Sequence, residues 1–338
     1  MSAKAGIETS RGARVITRTP LLYRRGADAS LDRPAHVRAG SALAALADGR
    51  LAVVQDDACF LAVIDPSSGA ASDLPFPGFT KRQFDEKRGN KKEKLDLEAV
   101  FAGPSGVLVA LGSGSSPVRE RVVLIEEPGS DEARVTIIHA PDLYAQLRSD
   151  RSFSGSELNL EGAVVVGDDV LLFQRGNGAP SERHTPVDAT ARVALAPLLA
   201  YLRGEGAAPA LRDVRGWDLG SPDGHRLTFT DGAVRAHADG HVIGFLACAE
   251  DSPDATRDGP VSAVMLGCLD EATGTCVLGA ILNERGEPLL DKAEGLAFDL
   301  ADPSRAFVVT DRDDPDAPSE LLVLQLGDAW LPGRARSR

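Results

Sequence analysis

The stretch Asn159-Leu160-Glu161-Gly162-Ala163-Val164-Val165-Val166 constrains this chain more than any other, because the chain writes it again with changes. Asp96-Leu97-Glu98-Ala99-Val100-Phe101 and Lys292-Ala293-Glu294-Gly295-Leu296-Ala297-Phe298 are its clearest copies. Each copy sets one carboxylate at the head of a short apolar run, which turns at a polar or Gly-containing step into a second apolar run. A unit of this kind cannot bury its apolar face alone, so repeated units must stack on one another.

Read outward from these copies, the chain divides into five units. Ser41–Leu46, Leu51–Val54 and Phe60–Ile64, with turn residues at Asp48-Gly49 and Pro66–Gly69, lead to a poorer outer strand and make a four-stranded antiparallel meander. The second unit has Leu97–Phe101, Gly106–Leu111, Arg121–Ile125 and Val135–Ile138. The third has Leu160–Val166, Val170–Phe173, Ala191–Leu195 and a run before Trp217, with Ala196–Leu202 rich enough in Ala and Leu to form an inserted helical turn. In the fourth, degenerate unit Thr230–Val234 aligns with Leu160–Val164, followed by His241–Leu246, Val264–Leu266 and Val277–Leu282. The fifth supplies only Gly295–Phe298, Ala306–Val309 and Leu321–Leu324.

One strand, Ala13–Leu22, has no neighbour before it and fits that vacancy, which would leave no free sheet edge. The expectation is an all-β chain: a five-bladed β-propeller of four-stranded antiparallel blades, closed by the N-terminal strand. Residues 1–12 read as a polar leader, 13–330 as a single propeller domain and 331–338 as a basic tail. With aromatics at only 5%, the core must come from Val, Leu, Ala and Ile.

Lys+Arg 37 against Asp+Glu 50 leaves a net charge of -13, which argues against nucleic acid or an anionic membrane surface as partner. A cation, or a small anionic ligand in a locally basic pocket, suits the chain better. No run approaches the roughly 18 apolar residues of a membrane span, and no apolar signal region is visible, so a cytoplasmic monomer is expected. Cys59, Cys248, Cys268 and Cys276 show neither metal-type nor disulfide-framework spacing and read as reduced structural thiols.

Aligning the units on their turns puts Ser41, Glu98, Glu161, Asp231 and Glu294 at the same place in the strands that line a propeller's channel. Carboxylates crowded round a narrow axis repel each other and are costly to desolvate unless a cation or bound protons compensate. Ca²⁺ suits such a ring, taking six to eight oxygen ligands in flexible geometry. Zinc would want His or Cys there. The same acids could instead bind backbone amides of neighbouring blades and lock the ring, with Gly after Glu serving only close packing. Both readings stay open at this point.

The loops after the second strands open on the same face, and loops at one end of a rigid scaffold gather binding residues. They read Gln55-Asp56-Asp57, Gly112–Ser116, Gln174-Arg175-Gly176-Asn177-Gly178, Glu250-Asp251-Ser252 and Thr310-Asp311-Arg312-Asp313. Arg119, Arg175, Asn177 and Arg312 are the candidate ligand-binding residues. The basic segment Lys81–Lys94 is either a solvated loop or a flap lending Lys and Arg to an anion. His184 and Glu250 are the titratable groups nearest a general-base role. Gly112-Ser113-Gly114 is no dinucleotide fingerprint, since a strand follows it instead of a helix.

Glu-Gly or Glu-Ala heading an apolar inner strand, at Glu98, Glu161 and Glu294, resembles the phytase-esterase-like group of bacterial propellers. The count of five units is similar to the calcium-activated nucleotidases. The resemblance covers the inner strands of about three units, while Ser41 and Asp231 depart from it. It implies a central Ca²⁺ and, in some members, phosphoester hydrolysis over it. The expectation is therefore a calcium-binding propeller that is either a metal-dependent hydrolase of phosphoesters or esters, or a non-catalytic ligand- or protein-binding module.

Overall fold

Continuous apolar runs of four to seven residues, separated by Gly and Asp turns, make strands buried on both faces. In the computed structural model, which describes residues 3–237, 240–251 and 259–331, they do so in five successive groups of four. Gly40–Ala45, Leu51–Gln55, Phe60–Ile64 and Ala70–Pro75 pair antiparallel in chain order. Leu97–Ala102, Leu108–Gly112, Arg121–Glu126 and Arg134–His139 do the same. Leu160–Val166, Asp169–Gln174, Asp188–Ala194 and Arg212–Asp218 form the third group. The fourth, with its first two strands longer, is Leu227–His237, Gly240–Glu250, Val261–Asp270 and Thr275–Leu282. The fifth has Lys292–Phe298, Arg305–Asp311 and Glu320–Leu326, and its fourth strand is Ala13–Pro20, paired antiparallel with Glu320–Leu326.

The first strands pack side by side. Gly40–Ala45 lies against Leu97–Ala102, that against Leu160–Val166, then Leu227–His237, then Lys292–Phe298, which packs back on Gly40–Ala45. Such close approach needs small residues. A Cβ on Gly162 would meet the backbone N of Gly232 at 2.9 Å, and one on Gly295 would meet the Cβ and N of Leu43 at 2.9 Å. Outer strands are wetter; Arg134–His139 mixes exposed and half-buried residues. Phe229 of the fourth unit meets Phe173 of the third edge-on at 5.3 Å and Phe245 of its own unit at 5.0 Å. Such pairs contribute about 1 kcal/mol each beyond area burial.

The leader is not loose. Ala3–Lys4 pairs parallel with Trp217–Asp218 of the third unit, and Gly6–Ile7 with Val277–Leu278 of the fourth. Ala13–Arg14 also pairs with Ile281–Leu282, joining the fourth and fifth units into one continuous sheet. Leu22–Tyr23 then pairs parallel with Ala70–Ala71 of the first. Residues 3–23 are thus a strap across four units.

The helix Leu195–Leu202 falls where the Ala- and Leu-rich run predicts a helical turn. Two more helices, Pro141–Ser149 and Arg151–Ser154, cover the space between the second and third units with Leu143, Tyr144, Leu147 and Phe153 buried. The one helical mark in the sequence there is Leu143 and Leu147, four residues apart. The four cysteines are free, and Cys59, Cys248 and Cys276 are buried. No helix among the described residues is long and apolar enough to cross a membrane. Ser252 and all of the basic tail but Leu331 lie outside the described residues.

Candidate functional site

Every first strand breaks its ladder at one residue. The pairing skips Ser41 between Gly40 and Ala42, Glu98 between Leu97 and Ala99, and Glu161 between Leu160 and Gly162. It skips Thr230 between Phe229 and Asp231, and Glu294 between Ala293 and Gly295. A bulge leaves its extra residue outside the ladder and re-aims the side chain. The register therefore makes Thr230, one residue before Asp231, the fourth unit's equivalent of the three glutamates.

The five bulged positions divide by chemistry. The Ser41 hydroxyl donates to Leu97 O, and the Thr230 hydroxyl donates to Ala293 O at 2.7 Å. Each thus holds the carbonyl just before the glutamate of the next unit. Asp231 accepts from the amides of Gly232 and Leu296, both at 2.7 Å, and burial pushes its carboxyl well above the usual range against the pull of those amides. Ser41 and Asp231 act as latches between strands, and neither lines the axial cavity.

Glu98, Glu161 and Glu294 converge. One oxygen from each lies within 4.8 Å of the other two, with the residues 8%, 3% and 4% exposed. Glu98 Oε2, Glu161 Oε2 and Glu294 Oε1 accept no hydrogen bond. Burial pushes Glu161 up to about 7 against the pull of Arg175 and Lys292. It also holds Glu98 well above the carboxylate range, aided by the charges of Asp96 and Glu161. Glu294 is likewise held high by burial, opposed by Lys292. Desolvation disfavours the charged form, so three such groups together call for a counter-charge.

Above them opens a cavity of about 310 Å³, walled by eleven carboxylates and six cations. Two residues before the bulges stand Ala39, Asp96, Asn159 and Lys292, all lining it. Asn159 Nδ2 donates to Glu161 Oε1 at 2.7 Å, and Lys292 Nζ lies 3.0 Å from Asp313 and 3.6 Å from Glu294. The loops after the second strands add Asp56, Asp57, Arg175, Asn177, Asp311 and Asp313. Arg175 lies buried, 2.9 Å from Glu250 and 3.4 Å from Glu161.

The basic segment closes one side of the cavity with Phe84, Lys87, Lys91 and Lys94. It is pinned and not simply solvated. Buried Arg38 donates to Asp57 and, at 2.8 Å, to Gln83, while Arg88 donates to Asp32 at 2.9 Å and Asn90 to Gln83 O at 2.9 Å.

Of the residues expected to meet a ligand, Arg119, Arg175 and Asn177 line the cavity. Arg312 instead donates to Glu320 at 2.8 Å and lies outside it. His184 sits in an exposed turn with Ser181, and Glu250 is held behind Arg175. Lys292 and Asp96 were visible in the sequence only as parts of the repeat. Their place two residues before a glutamate, hence on its side of the strand, is the signal that marks them.

A family model described as "Family of unknown function (DUF6929)" matches residues 36–326. No curated protein matches the chain. Among solved structures, glutaminyl cyclase from Myxococcus xanthus is 12% identical, with 97% of this chain and 100% of that one covered and a TM-score of 0.49. An auxiliary nutrient binding protein from Bacteroides thetaiotaomicron is 10% identical, with 91% and 76% covered and a TM-score of 0.41. The Cps50 (Swd1) β-propeller domain from Myceliophteria thermophila is 9% identical, with 86% and 98% covered and a TM-score of 0.36.

Proposed function

Since the chain belongs to the DUF6929 family, whose description names no chemistry, we propose a function from the axial site: the protein binds one divalent cation, Ca²⁺ by preference, between Glu98, Glu161 and Glu294. The observation that carries this reading is three buried glutamates that each offer an oxygen within 4.8 Å of the other two and that each keep one oxygen accepting no hydrogen bond. Each pair is close enough to share an ion held at about 2.4 Å, and water or a ligand's oxygens would complete the six to eight positions calcium takes. The scaffold in this reading is a five-bladed propeller closed by the N-terminal strand. The proposal agrees with what the resemblance of the Glu-headed strands to phytase-esterase-like propellers implies. Free, mostly buried thiols fit a cytoplasmic setting.

A second reading adds chemistry: metal-assisted hydrolysis of a phosphoester or ester. The observation favouring it is that Lys87, Lys91 and Arg119 face the same cavity as the glutamates, so an anion bound to the ion would meet cations at its other end. The ion would polarise the substrate oxygen and activate water. Without turnover, the same site is a binding module for a small anion.

A ligand that binds only the folded state stabilises it, by about 2.7 kcal/mol at a hundredfold excess over Kd. Calcium should therefore raise Tm and a chelator lower it, and Glu161→Gln and Glu294→Gln should each weaken binding at least tenfold by calorimetry. Identical melting in both conditions, with no metal on elemental analysis, would leave the glutamates as structural groups. A phosphatase and esterase panel run with and without calcium, beside Glu161→Gln, separates hydrolysis from binding. Calcium-dependent turnover lost in the variant supports the enzyme.

A further inference from the structure

A second group of acids stands beside the axial one. Asp56, Asp96 and Glu98 each offer an oxygen within 4.8 Å of the other two, so Glu98 belongs to both groups. By spacing alone, either group could hold a cation. They differ in what already occupies them.

Lys94 Nζ donates to Asp56 and lies 2.6 Å from Asp96 Oδ1, with its side chain only 9% exposed. The other oxygen of Asp96 accepts from the Ser113 hydroxyl and lies 3.0 Å from Arg119. Burial works against the charge of Lys94, but Asp56, Asp96 and Glu98 outweigh it and hold the ammonium well above its ordinary value. Among the three glutamates the cations stand further off. Arg175 Nη1 is 3.4 Å from Glu161 and 3.9 Å from Glu294 and its guanidinium is shared with Glu250, and Lys292 is 3.6 Å from Glu294 and shared with Asp311 and Asp313. Neither hydrogen-bonds the bare oxygens of Glu98, Glu161 and Glu294.

We propose that Lys94 is the resident cation of the Asp56–Asp96–Glu98 group, and that it limits the cavity to one exchangeable divalent ion. This rests on the axial calcium reading. An ammonium and a metal ion compete for the same oxygens, but the ammonium is tethered. It closes the segment pinned by Arg38, Gln83 and Asn90, and so keeps its place whatever the ion concentration. In sites that hold two metals the ions stand about 3.5–4 Å apart and clamp both attacking and leaving oxygens. Here Glu98 would be the shared carboxylate of such a pair, and Lys94 turns the second position into a fixed single charge. The protein is thus specified for one-ion chemistry or one-ion binding.

The test is calcium stoichiometry on the full chain, by equilibrium dialysis with elemental analysis. Wild type and Lys94→Arg should bind one ion, Lys94→Met two, and the double variant Lys94→Met, Asp56→Asn one again. Should Lys94→Met fail to fold, Lys94→Gln, which keeps a donor for Asp56 without the charge, is read in the same way. One ion in wild type and one in a folded Lys94→Met overturns this inference and leaves the axial site standing. None in wild type but one in Lys94→Met, lost on Asp56→Asn, overturns the axial reading and with it the one-ion limit, and keeps only Lys94 as the resident cation of the second group. None in either overturns both.

Discussion

With no ion between them, burial and mutual repulsion favour protons on Glu98, Glu161 and Glu294, and for Glu161 and Glu294 the pull of Arg175 and Lys292 offsets this only in part. Glu161 holds its proton to about 7 in the folded chain, against an ordinary value of 4.5. Between those values the folded state binds more protons than the unfolded one, so stability falls as pH rises. The contribution is fully present below 4.5 and lost above about 7, and amounts to about 3 kcal/mol at most. Asp57, pushed up to about 7 by burial and the charge of Asp56 despite Arg38, acts in the same sense. Metal-free protein should therefore melt several degrees lower at pH 8 than at pH 5. Calcium takes the place of the protons, so its stabilising effect should grow over the same interval. Glu161→Gln, which has no proton to lose, should flatten the metal-free profile without abolishing the Asp57 part. A metal-free profile that rises from pH 5 to pH 8 would show that these carboxyls are not held protonated in solution.

The bulge is what turns a repeated strand into a site, and it is also where the sequence misleads. Aligning Asp231-Gly232 with Glu161-Gly162 matches acid to acid and glycine to glycine. A bulge inserts one residue and shifts everything on one side of it by one, and no periodicity shows where it falls. The strands themselves were legible, because buried apolar runs bounded by turns carry their own signal. So were the three glutamates, since in their units the acid does sit on the bulge. The loops that bring Asp56, Arg175 and Asp311 to the cavity were legible as polar breaks after second strands. Arg312 was misplaced because consecutive loop residues point to different sides. The same geometry makes a prediction. Thr230→Val removes the hydroxyl bond to Ala293 O and should cost about 1 kcal/mol in urea unfolding. Asp231→Asn weakens the hold on Gly232 and Leu296 and should cost about as much or more. Neither should change calcium affinity more than twofold. A tenfold loss in Asp231→Asn would restore Asp231 to the ligand set.

At the scale of the molecule, the glutamates can converge only if the five strand groups hold a fixed arrangement, and the N-terminal strap is what crosses between four of them. That Ala13–Leu22 needed a partner was readable, because a strand with no neighbour is an anomaly in any meander. That residues 3–7 also pair was not, because two-residue parallel ladders leave no pattern in the sequence. The strap's parts are unequal. Gly6 and Ile7 are exposed and their ladder is short, so deleting residues 1–8 should lower Tm by only a few degrees. Deleting residues 1–24 removes the fourth strand of the fifth unit together with buried Val15, Leu21 and Tyr23. Burial of an apolar side chain of that size contributes about 1.5–3 kcal/mol, so the loss is on the order of 5 kcal/mol before the stripped edge of Glu320–Leu326 is counted. That equals much of what holds an ordinary domain folded. The longer truncation should give no cooperative melt, or one shifted down by tens of degrees, and should bind no calcium even when soluble. A truncated chain melting within a degree or two of the intact protein would show that the fifth unit stands on three strands and that the strap only decorates the fold.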